Sequence, residues 1–142
     1  MATVETKIMA VLMARVGETL LEYPVTWGDD GFTPPIDGQK SLPYIIAENV
    51  PNVPDRITIG DSGKDNRQGI LTLSLMAPVT MKWKLPVMVE KQGLMAAEFP
   101  KGFLPAFDGL RVRVTQSPRC VAPYRDDTNY RCPVQVRWQS FS

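Results

Sequence analysis

Histidine is absent from the 142-residue sequence. A Ser-His-Asp or Cys-His nucleophile system therefore cannot be assembled within this chain. Histidine-containing zinc sites are excluded with it. The two cysteines, Cys120 and Cys132, cannot make a four-cysteine site. Two cysteines also imply no disulfide framework. No stretch approaches the roughly 20 apolar residues needed to cross a bilayer. The opening residues, MATVETKIMAVLMARVGE, have no basic region and no small-residue cleavage site, so they read poorly as a secretory signal. The expected compartment is the cytoplasm of the producing cell, with both thiols free. Charge of one sign is not in excess either: sixteen Lys and Arg stand against fifteen Asp and Glu, a formal charge of +1. A duplex nucleic-acid binder usually carries a strong basic excess. The expectation from these absences is a protein that is not an enzyme and needs no cofactor or metal.

The composition is that of a folded domain. The hydrophobic fraction is 44% and the charged fraction 22%, which is ordinary for a globular chain. This length fits one domain over residues 1–142. Such a chain buries roughly two-thirds of the surface its unfolded form exposes, enough for one core.

The spacing predicts a first helix near residues 4–21. Thr3 can cap it, and Glu5 suits the positive end of its dipole. Val4, Ile8, Val11, Leu12, Val16 and Leu20 share one face, and Tyr23-Pro24 stops it. A loop rich in Gly, Asp and Pro follows over 28–43, and Tyr44 to Val50 reads as a strand. Arg56 to Ile59 leads into a polar tip, Gly60 to Arg67, expected to project into solvent. Ile70 to Met76 alternates as a strand, with Leu71, Leu73 and Leu75 on one side. A second helix is expected from Pro86 to Phe99.

Two last strands alternate most cleanly. Leu110, Val112 and Val114 face the core, with Arg111, Arg113 and Thr115 outside. Cys132, Val134, Val136 and Trp138 face the core, with Pro133, Gln135, Arg137 and Gln139 outside. Residues 117–130 between them read as a second polar arm. One-sided alternation indicates an antiparallel sheet covered on one face. The expected fold is α+β: a mainly antiparallel sheet of four to five strands, two helices on one face, and long polar loops.

Several short motifs invite chemistry and do not sustain it. Gly60-Asp61-Ser62-Gly63 echoes a protease serine, but no histidine can serve as its base. Gly63-Lys64 echoes a phosphate-binding loop, yet Thr58 and Asp65 occupy positions where that motif needs Gly and Ser or Thr. Asp29-Asp30 and Asp126-Asp127 lack the alternating spacing of a calcium loop. The outward residues Arg111, Arg113 and Arg137 admit three readings. They form a solvated face, they meet carboxylates of a neighbouring copy through their guanidinium forks, or they contact nucleic-acid phosphates. Near-zero net charge weighs against the last. Trp27 and Trp83 suit core packing or an interface anchor.

A succession of short motifs carries a resemblance over essentially the whole chain. Phe32-Thr-Pro-Pro35 follows a tryptophan segment, and Leu42-Pro43-Tyr44-Ile45 opens a strand. Ile57-Thr58-Ile59-Gly60 precedes the polar tip, and Arg67-Gln68-Gly69-Ile70-Leu71 starts the next strand, which ends in Ala77-Pro78. Phe99-Pro100-Lys101-Gly102 closes a helix, and Cys132-Pro133-Val134 runs on to Trp138. Their order and spacing resemble the tail terminator family of phages and prophages, relatives of the lambda-type terminator. The stretch Met81-Lys82-Trp83-Lys84-Leu85-Pro86 departs from the family's usual small and polar residues.

The resemblance implies a virion subunit that forms a hexameric ring. Such a ring binds the last ring of tube protein, halts elongation, and offers its other face to the head connector. DNA would pass through the lumen without sequence-specific binding, and no membrane is involved. The family brings no catalytic residues. The expected contact residues are Asp61, Lys64, Asp65 and Arg67 on the first tip, Arg125, Asp126 and Asp127 on the second arm, and Arg111, Arg113 and Arg137 on the sheet face. Another neck or connector subunit is the alternative within the same class. A small nucleic-acid-binding domain is the alternative outside it.

Overall fold

The Thr3 hydroxyl accepts the Thr6 amide at 3.3 Å, and the Thr3 carbonyl accepts the Lys7 amide at 3.0 Å, so the first helix begins where its cap predicts. The fold is taken from a computed structural model, described over residues 3–19, 23–28, 36–37, 40–51, 55–56, 65–102, 106–107 and 110–141. Helix α1 is Val4–Thr19. Short strands β1 (Val25–Thr26), β2 (Ile36–Asp37) and β3 (Lys40–Ser41) precede β4 (Tyr44–Pro51) and β5 (Asp55–Arg56). Strand β6 is Asp65–Pro78 and helix α2 is Leu85–Ala97. Then come β7 (Ala106–Phe107), β8 (Leu110–Arg111), β9 (Arg113–Val114), β10 (Arg119–Cys120), β11 (Tyr124–Asp126) and the long β12 (Asn129–Phe141).

Three long strands, β4, β6 and β12, make the frame. Strand β6 lies between the other two, antiparallel to both, with Leu73 opposite Ala47 on one side and Val134 on the other. Alternation then sends Ile45, Ala47, Leu71, Leu73, Leu75, Cys132, Val134 and Val136 to one face, and all are buried. Ile8, Val11, Leu12 and Val16 of α1 join that core, as do Met88 and Met95 of α2 and Phe99 just beyond it. Both helices thus cover the same side of the sheet.

The expected sheet of four to five strands is corrected. Among the described residues the sheet has eight strands and is mixed, because β1 runs parallel to β4. The additional strands are two or three residues long. They form on edges that longer strands leave free: β9, β10 and β11 on the outer edge of β12, β1 on the outer edge of β4, and β5 on the end of β6 that β4 does not reach. The arm over 117–130 is corrected for the same reason. Its strands β10 and β11 fold back onto β12, with Arg119 opposite Gln135 and Tyr124 opposite Arg131. The first polar tip is shorter than expected, since Asp65, Asn66 and Arg67 already belong to β6. Residues 57–64, which carry the serine and phosphate-loop echoes, lie outside the described residues, as do Asp29 and Asp30.

Helix α2 starts at Leu85 with Pro86 in its first turn, one residue before the expected position. The unusual stretch ahead of it forms a 3₁₀ turn, Val79–Met81, closed by Lys82 in the left-handed region at φ 55 and bonded to Val79 O at 3.1 Å. Within α2, Met88, Gln92 and Met95 fall at four- and three-residue spacing and face inward. Gln92 is the polar member of this stripe. Its Nε2 donates to Val121 O at 2.6 Å and to Pro133 O at 2.8 Å, which satisfies two carbonyls where β10 ends. Trp27 and Trp83 both pack partly buried against the core, and the Lys91 ammonium lies 5.7 Å over the Trp83 ring.

Candidate assembly surface

The sheet face opposite the helices carries the candidate residues. Alternation along β4, β6 and β12 places Glu48, Thr72, Gln135 and Arg137 there, each offset by one from a buried neighbour. Arg113 pairs with Gln139, and Arg119 with Gln135, so both point the same way. Arg111, Arg113, Arg119 and Arg137 are exposed. The sequence singled out Arg111, Arg113 and Arg137; the structure brings Arg113 and Arg137 to one end of this face, while Arg111 pairs with Ala106 in a separate two-stranded sheet. Arg119 and Glu48 escaped the sequence reading. Arg119 sits in a two-residue strand that only its pairing with β12 defines, and Glu48 is one exposed residue in an otherwise apolar run.

The remaining candidates divide. Arg125, Asp126 and Asp127 gather in the β11–β12 turn. Arg125 Nε donates to Asp127 O at 3.1 Å, and Arg131 Nε donates to Asp126 Oδ2 at 3.3 Å. Asp127 takes the left-handed conformation at φ 59 that Asp tolerates in tight turns. Asp65 begins β6 opposite Arg56. Asp61 and Lys64 lie outside the described residues. Arg67 is committed elsewhere: its Nη1 sits 2.5 Å from Glu5 Oε1 and ties β6 to the first turn of α1. At the other end of α1, Arg15 Nη2 donates to Glu98 O at 2.7 Å.

A cleft of about 380 Å³ opens between the start of α1 and the sheet, lined in part by Ile8, Met9, Asn49 and Trp138. Trp138 Nε1 donates to Asn49 Oδ1 at 2.8 Å. Among the described residues no serine or cysteine lines it. Among the described residues no group of three or more Cys, Asp or Glu is placed to hold a metal ion. No helix of the described residues is long and apolar enough to cross a membrane.

Cys120 is exposed on β10 and Cys132 is buried on β12; both are thiols. Burial raises both pKa values, that of Cys132 from 9.0 to about 11. Native protein at pH 8 should therefore be alkylated at Cys120, with Cys132 protected until denaturant is added. Peptide mass analysis reads this directly, and rapid labelling of both in the native state would contradict the placement of Cys132. Below pH 9 the Cys132 thiol is neutral whether the chain is folded or unfolded, so its raised pKa does not affect stability there. Between 9 and 11 the unfolded chain loses that proton first, so stability falls with rising pH.

The described residues form a small domain with two helices on one side of a mixed sheet and exposed arginines on part of the other side. A family model described as phage tail terminator protein matches residues 7–138, nearly the whole chain, and the chain belongs to that family. A solved structure shares the fold at a TM-score of 0.74 and 22% identity, with 98% of this chain and 96% of that chain covered. A search of the curated proteins finds no match. The family gives the chain a structural role in the phage tail and a place in the virion.

Proposed function

We propose that this chain is the subunit of a hexameric ring that caps the head-proximal end of the tail tube, stops its elongation and supplies the interface for head-tail joining in a long-tailed phage. The observation that carries this reading is the family membership over residues 7–138. The sheet face supports it, because Arg113, Arg119 and Arg137 are exposed there and form no ion pair among the described residues, which leaves their guanidinium forks open to a neighbouring copy. So does α2, which exposes Leu85 with Val89 on one flank and Val87 with Leu94 on the other. Contiguous exposed apolar side chains mark surfaces that another protein covers.

The partners on this reading are further copies of the chain, the tube protein on one side, and a connector or neck protein on the other. Assembly takes place in the host cytoplasm, and DNA crosses the lumen without being read. The turn carrying Arg125, Asp126 and Asp127, the tip with Asp61, Lys64 and Asp65, the face with Arg113 and Arg137, and Arg111 are the proposed contacts. Arg67, whose ion pair with Glu5 holds α1 to the sheet, is proposed as a contact as well.

Mixing the purified chain with assembled tubes should put a ring at one end of each tube, visible by negative-stain microscopy, with six copies per ring by native mass measurement. Tubes that acquire bound monomers but no ring would sink the hexamer. A ring that binds connector and ignores tube ends would favour the connector reading.

A further inference from the structure

The sequence is electrically divided. Residues 1–66 hold ten acidic and five basic residues, while residues 67–142 hold five acidic and eleven basic ones. Among the described side chains Glu48 is the acidic residue that the strand order places on the sheet face opposite the helices, across from the arginines of β9, β10 and β12. Strands β1 and β4 stand on one side of β6, and β12 with β9, β10 and β11 on the other. One row of paired residues crosses the open face from end to end: Glu48 opposite Thr72, Thr72 opposite Gln135, Gln135 opposite Arg119. The row begins with an exposed carboxylate and ends with an exposed guanidinium. Arg137 lies in the next row along β12. Three strand spacings of about 4.8 Å separate Glu48 from Arg119, so the two do not meet within one copy. Among the described residues Glu48, Arg113, Arg119 and Arg137 form no ion pair.

We infer that this face mates head to tail with a second copy of the same chain, the arginine edge (Arg113, Arg119, Arg137) of one copy meeting the acidic edge that carries Glu48 on the next. The inference rests on the ring reading and names the contact that closes the ring. Laid face to face on its own copy, a polarised face would close as a two-fold dimer; in an edge-to-edge contact a two-fold axis would set like charges beside each other. The edge contact is satisfied when each copy turns the same way, which is the heterologous contact a closed ring requires. Arginine suits the basic side because its fork meets a carboxylate through two donors. Such a contact is screened by salt over about 8–10 Å at 0.1–0.15 M ionic strength, so self-association should weaken as salt rises.

The test uses two full-length variants. Arg119→Glu with Arg137→Glu makes both edges acidic; Glu48→Arg makes both basic. Each alone should self-associate at least about tenfold more weakly than wild type, because like charges then face each other. An equimolar mixture should recover rings of strictly alternating composition by native mass measurement, since each variant supplies the edge the other has lost. Thermal melting confirms that each variant folds. Rings formed at wild-type strength by both single variants would overturn the inference while leaving the ring reading standing. Loss of phosphate-backbone binding to DNA in the arginine variant, with self-association unchanged, would overturn it in favour of nucleic acid. Absence of any ring from wild-type chain, with or without tube protein, would remove the ring reading and this inference together.

Discussion

Deleting this chain from a phage that encodes it should leave tail tubes that overgrow and heads that never join them. A polymer of stacked rings presents the same surface after every addition, so nothing intrinsic stops it. Stopping requires a ring that matches the tube's end on one face and lacks that end on the other. A ring of this chain would copy the tube's binding mode below and offer different groups to the connector above. Purified chain added before overgrowth should restore both length and joining. The expected effect is all or none, since a single uncapped end continues to grow. Tails of normal length, with only head closure failing, would transfer the chain to the connector class.

The second large effect is expected inside the fold, where Trp138 lies across Gly69. A Cβ on residue 69 would stand 2.7 Å from the Trp138 ring and 2.7 Å from Val50 O. The backbone oxygen cannot retreat, because Val50 is locked in register with Ile70. The ring is 2% exposed and bonded to Asn49, so it has no room to move. Gly69→Ala should cost about 2–4 kcal/mol, from overpacking together with a strained or broken indole hydrogen bond. Trp138→Ala should cost about 3–5 kcal/mol, from the cavity and from the Asn49 oxygen left without its donor. The double variant should lose distinctly less than the two together, since the new methyl occupies space the ring has left. Denaturant unfolding of the four proteins measures this, and strict additivity would mean that the two residues do not touch in solution.

The elements read correctly from the sequence share one property: their signals are local and long. Ile8, Val11, Leu12 and Val16 repeat at helical spacing over more than two turns, and the cap at Thr3 fixes where the repeat starts. Leu71, Leu73 and Leu75 alternate, as do Cys132, Val134, Val136 and Trp138, and each set is buried. The elements missed were short. A two-residue strand such as Arg119–Cys120 has no period of its own, and its hydrogen bonds are dictated by β12. The same limit hid the parallel pairing of Val25 with Ile45.

Arg67 shows a different limit. In sequence it belongs to a polar run and reads as a recognition residue; in space it faces Glu5, 62 positions earlier, and fastens a helix. Gly69 stands in the motif that starts a strand and proves to be the floor beneath an indole. The sequence by itself determined which faces of α1, β6 and β12 are apolar, that histidine chemistry is absent, and that its two halves carry opposite charge. Only the tertiary structure decided that Glu48 and Arg113, Arg119 and Arg137 lie toward opposite edges of one sheet face, because the position of a charge in space depends on strand order, and strand order is set by long-range pairing that no local pattern records.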